Sequence, residues 1–234
     1  MKVYSQGDQA IVVSNEKEVS QNLVEDLLAL RNALLKKNLS FIIDIIPTES
    51  DMMITYDARD MMKHHGIQSP FLYMKALVES LDTVVSEGET VRMPVEIPVI
   101  YGGQYGPDLE RVLTETKMTL EAFIETHTAP TYFMTMVGYS PGFPYLTGLN
   151  KRLFVNYTGD KKRFIPAGSV ILEGKKSGIT TNASYGDWLV IGYTPTRLFV
   201  PEEANLTVLD IGDRVKFKAV SEQDVDLGGF EACR

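Results

Sequence analysis

Apolar residues in the first ninety positions recur with two periods. Val19, Leu23, Leu27, Leu30 and Leu34 follow one another at intervals of three and four, the stripe of an amphipathic helix. Asn15 with Glu18 three residues later fits a capping box at its start, and Lys36 and Lys37 suit the negative end of its dipole. The β-branched run at residues 9–13 precedes this helix as a strand. Residues 41–46 form another, closed by Pro47, and residues 52–56 a third after a turn at 49–51. Ser69-Pro70 marks a second helix start, because proline is tolerated at the first helical position. Phe71, Met74, Val78, Leu81 and Val85 supply its inner face, Glu87-Gly88 stops it, and residues 91–97 form the next strand. The order β-α-β-β-α-β predicts a ferredoxin-like split arrangement.

Beyond residue 100 the helical period soon fades. YGGQYG at 101–106 is a turn cluster, residues 107–116 read as a short helix, and Thr119 caps another running to Thr126. Short strands then recur at 132–137, 169–172, 178–182, 188–192 and 214–219, with Gly and Pro between them. That spacing indicates a barrel or sandwich. The expected fold class is therefore α+β: a small ferredoxin-like domain over 1–90, a β-barrel or sandwich domain over 91–220 and a tail over 221–234.

Composition narrows the function classes. The chain has 234 residues, 44% of them hydrophobic, an ordinary globular balance. Lys and Arg number 23 against 31 Asp and Glu, a net charge of −8, which disfavours nucleic-acid and anionic-membrane partners. No apolar run is long enough to span a bilayer and the N-terminus has no signal core, so a cytoplasmic location is expected. The single Cys233 forms neither an internal disulfide nor a cysteine zinc site, and the adjacent His64 and His65 point too far apart on a helix to share a metal. Against the acidic average, Lys151, Arg152, Lys161, Lys162, Arg163, Lys175 and Lys176 gather in one stretch. Such a stretch is either solvated loop charge or a seat for a carboxylate or phosphate.

Three apparent motifs fail on chemical grounds. Gly138-Tyr-Ser-Pro-Gly142 matches the nucleophile elbow G-x-S-x-G, but the oxyanion hole there needs the N–H after the serine, and Pro141 has none. The structural alternative is a rigid turn that aims Tyr139, Phe143 and Tyr145. Gly174-Lys-Lys-Ser177 is out of register with a P-loop and puts Lys176 where a magnesium-binding hydroxyl belongs. Met74-Lys75 lies in a helical stretch without the second methionine of a biotin-carrier hairpin. His127 ends a helix, and reads either as a protonated cap or as an acid/base group.

The phrases GYSPGFPYL at 138–146, IPAGSV at 165–170 and GDWLVIGYTP at 186–195 belong together. With Gly7-Asp8, Tyr101-Gly-Gly103, Gly106-Pro-Asp-Leu109 and Gly212-Asp-Arg214, the chain resembles the KipI / allophanate hydrolase subunit 1 family, which includes the B subunit of 5-oxoprolinase. The resemblance implies that the barrel is cyclophilin-like. It implies a B-like component of an ATP-dependent 5-oxoprolinase, which hydrolyses 5-oxo-L-proline to L-glutamate. The implied partners are a homologous second subunit (C-like) and a LamB/YcsF-type subunit, without which the chain is expected to be inactive. ATP is used by the complex, with its site open to lying on a partner. The alternatives are a KipI-like inhibitor of histidine kinase autophosphorylation, part of a urea or allophanate carboxyltransferase, and prolyl isomerisation by fold analogy.

The resemblance and the residues together nominate a site for a small anionic cyclic amide. His127, Lys176 and Arg163 are the candidate catalytic groups, with Arg163 or Lys176 pairing the carboxylate. Tyr139, Ser140, Gly142, Phe143, Tyr145, Pro166, Gly168, Ser169 and Tyr193 are the candidate substrate-binding residues, and no metal is expected. The family carries an arginine where Tyr193 stands and Gln-Thr-Gly-Ile-Tyr-Pro where Lys176-Ser-Gly-Ile-Thr-Thr181 stands. Lysine is a point charge and arginine a planar fork, so one does not simply replace the other.

Overall fold

Ile11, Val13, Met52 and Ile54 are wholly buried, and their neighbours in sequence are not, as expected of strands with one covered face. In the computed structural model, which describes residues 1–15, 19–81, 93–155 and 162–233, they lie on β2 (Ala10–Ser14) and β4 (Asp51–Tyr56). Those strands pair antiparallel, with Ile11 opposite Ile54 and Val13 opposite Met52. With β1 (Lys2–Ser5) and β3 (Ile42–Pro47) they make an antiparallel sheet in the order β1-β2-β4-β3. Helix α1 (Gln21–Lys36) covers it with Leu23, Leu27, Leu30 and Leu34, and α3 (Pro70–Ser80) with Met74 and Val78.

The split β-α-β core matches the sequence expectation, but its edge strand does not. Residues 2–5 supply that edge from before the core, whereas the segment expected at 91–97 starts at Val95 and pairs elsewhere. The cap also moves. Ser20, accepting from Leu23 N at 3.3 Å, starts α1, so Val19 falls outside the helix. Another helix, α2 (Ala58–His64), was hidden by its brevity; His65 caps it and its Nε2 lies 3.2 Å from Asp60. The expected roles of Glu18, Val85, Glu87-Gly88, Val91 and Lys161 lie outside the described residues.

The chain divides into two units, Met1–Thr90 and Val91–Arg234. Seven strands build the second: β5 (Val95–Tyr101), β6 (Tyr132–Val137), β7 (Pro144–Thr147), β9 (Ser169–Glu173), β10 (Lys176–Ile179), β12 (Leu189–Tyr193) and β13 (Arg214–Ala219). They close into a barrel in the order β10-β7-β6-β13-β5-β12-β9. A separate short pair, β8 (Arg163–Ile165) with β11 (Ser184–Gly186), lies outside the barrel. Helices α4 (Leu109–Thr116) and α5 (Leu120–Thr128) bury Leu109, Val112 and Phe123 in the barrel core. Thr119 caps α5 by accepting from Ala122 N at 3.2 Å. The brief strands β7, β8 and β11 escaped the sequence reading because three or four residues carry too little alternation to register.

Both faces of the barrel strands are used. Val170, Leu172, Leu189, Ile191 and Ile179 belong to the main core with the helices. Ile171 and Val190, one residue out of step, join Phe143, Ile165 and Trp188 in a second cluster. The tail is not loose. Val225, Leu227 and Phe230 pack against Ile100, Tyr105 and Tyr193, and Cys233 against the second cluster.

Candidate functional site

Strand parity on β10 separates the two leading catalytic candidates. Lys176 and Ser177 are adjacent, so their side chains leave opposite faces of the sheet. Ser177 pairs with Leu172 and faces the core, and its Oγ lies 3.5 Å from His127 Nε2. Lys176 goes the other way and holds its ammonium 5.7 Å from the Tyr145 ring centre. The structure therefore does not bring His127 and Lys176 into one site.

His127 is fully buried, stacked between Phe123 at 5.9 Å and Phe217 at 4.8 Å. Burial pushes its imidazole down to about 3, because no charge compensates the lost hydration. The protonated-cap reading is thus overturned: the ring is neutral. The Tyr101 hydroxyl donates to Nδ1 at 2.7 Å. Ser177 Oγ gives its own proton to Ile171 O at 3.0 Å and so remains an acceptor toward Nε2–H. The Tyr132 hydroxyl donates to the His127 carbonyl at 2.9 Å. With no exposed atom, His127 is placed to order the core and not to meet a substrate in this conformation.

Arg163 is also committed. Its guanidinium grips Asp108 with both terminal nitrogens, NH1 to Oδ1 at 3.0 Å and NH2 to Oδ2. Asp108 in turn accepts from Val190 N at 2.6 Å, so the pair ties the start of α4 to β12. A carboxylate ligand would have to displace Asp108. Lys151, Arg152, Lys162 and Lys175 are exposed turn or loop charges.

The turn joining β6 to β7 does what the sequence suggested for Gly138–Gly142. Ser140 N donates to Gly138 O at 2.7 Å and Phe143 N to Ser140 O at 3.1 Å. Tyr139 takes a left-handed backbone, φ +64°, unusual for a bulky residue and a mark of a constrained turn. A strand follows it, not a helix. On one side of the turn, Tyr139 packs on Trp188 at 4.6 Å and on Phe143 at 5.7 Å, and Phe143 packs on Tyr145 at 4.9 Å. Lys176 closes this row at Tyr145. On the other side, Ser140 Oγ meets Thr181 Oγ1 at 3.0 Å, Thr181 Oγ1 donates to Pro141 O at 2.7 Å, and Gly142 lies against Phe199.

Thr181 and Phe199 line a cavity of about 380 Å³. Gly168 and Tyr193 line it too, whereas Pro166 and Ser169 are buried behind it. Thr180 Oγ1 donates to Pro166 O at 2.6 Å and accepts from Ser169 N at 2.9 Å, which locks the 166–169 turn. Gly168 has φ +81°, and a Cβ there would meet Thr194 O at 2.5 Å. Gly168→Ala is therefore expected to cost about 2 kcal/mol or more. A shift of the urea midpoint checks this, and an unchanged midpoint would refute the tight fit.

Tyr193 does not stand in for the family's arginine as a charged group. Its hydroxyl donates to Leu227 O at 3.1 Å, and Phe230 packs on its ring at 4.9 Å. Trp188, Asp108 and Arg197 escaped the sequence reading as site residues. Trp188 and Asp108 stand in the quoted GDW and GPDL phrases, and Arg197 lies four residues past Tyr193, so position in the motifs was the available signal.

Among the described residues no helix is long and apolar enough to cross a membrane. The family model of the carboxyltransferase domain, subdomain C and D, matches residues 1–209. The chain is 36% identical over 221 residues to the 5-oxoprolinase B subunit of Bacillus subtilis, covering 93% of this chain and 92% of that protein. It is 39% identical over 150 residues to the 5-oxoprolinase B subunit of Haemophilus influenzae, covering 63% and 70%. Among solved structures, TTHA0988 superposes with a TM-score of 0.78 at 27% identity, over 91% of this chain and 40% of that one. The chain thus spans two fifths of that longer polypeptide.

Proposed function

The chain belongs to the family of carboxyltransferase domains, subdomain C and D, and from that premise we propose that it is the B-type component of an ATP-dependent 5-oxoprolinase. The observation that carries this reading is the match to a 5-oxoprolinase B subunit over nearly the full length of both proteins. The reaction is hydrolysis of 5-oxo-L-proline to L-glutamate. A homologous second subunit and a LamB/YcsF-type subunit complete the enzyme, and the chain by itself is inactive.

The geometry supports a divided role. None of the nominated residues pairs a nucleophile with an accessible base, since His127 is fully buried. Phe143 and Trp188 are buried and support Tyr139, which is 55% exposed, with Lys176 beside Tyr145 at the end of the row. An exposed tyrosine on a rigid aromatic base favours an interface, so Tyr139 is the contact over which the second subunit closes. ATP supplies the activation that an inert lactam needs. Gly174-Lys175-Lys176-Ser177 does not fit its phosphates, because these residues turn β9 directly into β10 with no helix behind them. This turn is therefore not the ATP site.

The test is to co-express the three subunits and measure ATP hydrolysis with and without 5-oxo-L-proline. Substrate-dependent hydrolysis is expected, and Tyr139→Ala is expected to lower it about tenfold by weakening the contact between subunits. An assembly that hydrolyses no ATP in response to 5-oxo-L-proline overturns the reading. Suppressed histidine kinase autophosphorylation by the same chain would then favour the regulatory alternative.

A further inference from the structure

We propose that the cavity beside Gly168 is the seat of the substrate's carboxylate, held by Arg197 and walled by the C-terminal segment. This rests on the 5-oxoprolinase reading and names the residues that would bind its substrate. Arg163 is a poor choice for that role, since its guanidinium is already held by Asp108 through both terminal nitrogens.

The cavity has the composition such a ligand requires. Among the described residues its lining holds one cation, Arg197, and no acidic residue. Arg197 makes a single long contact, 3.4 Å from NH2 to Glu202 Oε2, and both partners are about two-thirds exposed. A pair of that kind is weak and exchangeable, so most of the guanidinium's donors remain available. The Asn182 carboxamide and the Thr196 hydroxyl line the same space with no hydrogen-bond partner among the described residues. Thr194 Oγ1 accepts from Thr196 N at 3.2 Å and keeps its own proton to give. These groups suit a lactam amide, while Pro195, Leu198 and Leu227 offer apolar surface for its ring methylenes. The volume, about 380 Å³, suits a small ligand.

The chain's own C-terminal segment supplies one side of this cavity, which stays open to solvent. Leu227, Gly228 and Gly229 form one wall. That wall is pinned by the Tyr193 hydroxyl on Leu227 O at 3.1 Å and by Phe230, whose ring lies 4.6 Å from Tyr105 and 4.9 Å from Tyr193. Tyr193, where the family has arginine, thus acts as a positioning residue, and the cation comes from Arg197. Binding by the full chain alone is the consequence.

Calorimetric titration of the full chain with 5-oxo-L-proline is expected to show one saturable site. Pyrrolidin-2-one, the same ring without the carboxylate, should bind at least about tenfold more weakly. Arg197→Ala should weaken the acid by a similar factor. Glu202→Gln, which removes the competing carboxylate, should tighten it. Lys218→Ala, an exposed control, should leave it unchanged. Absence of saturable binding, or affinity indifferent to Arg197→Ala, overturns the proposal. The three-subunit assay keeps the two ideas apart. An assembly that turns over with the same KM in Arg197→Ala removes this seat and leaves the activity standing, whereas a wild-type assembly without turnover removes the activity itself.

Discussion

The folded protein is expected to lose stability as pH falls from about 6.5 toward 3, by up to about 1.4 kcal/mol per pH unit, and His127→Gln is expected to lack that contribution. The sign follows from burial. Unfolded, the imidazole takes a proton near pH 6.5; folded, it refuses one until about 3. Between those values the unfolded chain binds more protons, so acidification favours unfolding, and the stabilisation is complete only above about 6.5. Urea midpoints at pH 7, 6 and 5 isolate the effect before most carboxylates begin to titrate. Parallel slopes in the wild type and His127→Gln would mean that the ring is not sealed from water. At neutral pH, His127→Ala is expected to cost about 3–5 kcal/mol, since it empties a space between Phe123 and Phe217 and strands the Tyr101 hydroxyl. That is a large share of a typical domain's stability.

Asp108→Ala is expected to lower the melting temperature by roughly 10 °C, corresponding to about 3 kcal/mol. The substitution removes both oxygens that hold Arg163 and the acceptor for Val190 N. Neither partner is freely solvated: Arg163 is 27% exposed and Asp108 13%. Removing one member of such a pair leaves a poorly hydrated charge, whereas removing both does not. The double variant Asp108→Ala with Arg163→Met should therefore be more stable than Asp108→Ala alone. A double variant that melts lower, by the sum of the two single losses, would show that Arg163 serves some purpose other than gripping Asp108.

These two residues show what local reading reaches. Thr119 as a cap, the stripe Leu23-Leu27-Leu30-Leu34 and the strand at 132–137 were legible because capping and periodicity are properties of neighbouring residues. The tight turn at 138–142 was legible because Pro141 lacks an N–H and two glycines flank it. The place of His127 at the end of α5 suggests a cap or an acid/base group, and nothing local reveals that Phe217, ninety residues on, covers its face. Arg163 looked like a free cation in a basic stretch, but its partner lies 55 residues earlier in sequence.

By itself the sequence determined every helix but the short α2, most of the longer strands, the family, and the motif residues around the turn, since each rests on spacing along the chain. Tertiary structure alone decided that residues 2–5 form the sheet edge, that Lys176 points away from the face of β10 that meets His127, and that residues 227–229 wall a cavity. Those outcomes depend on which distant strands pair and in which register. A shift of one residue in pairing exchanges the two faces of a strand, so side-chain neighbours are settled only when the barrel closes.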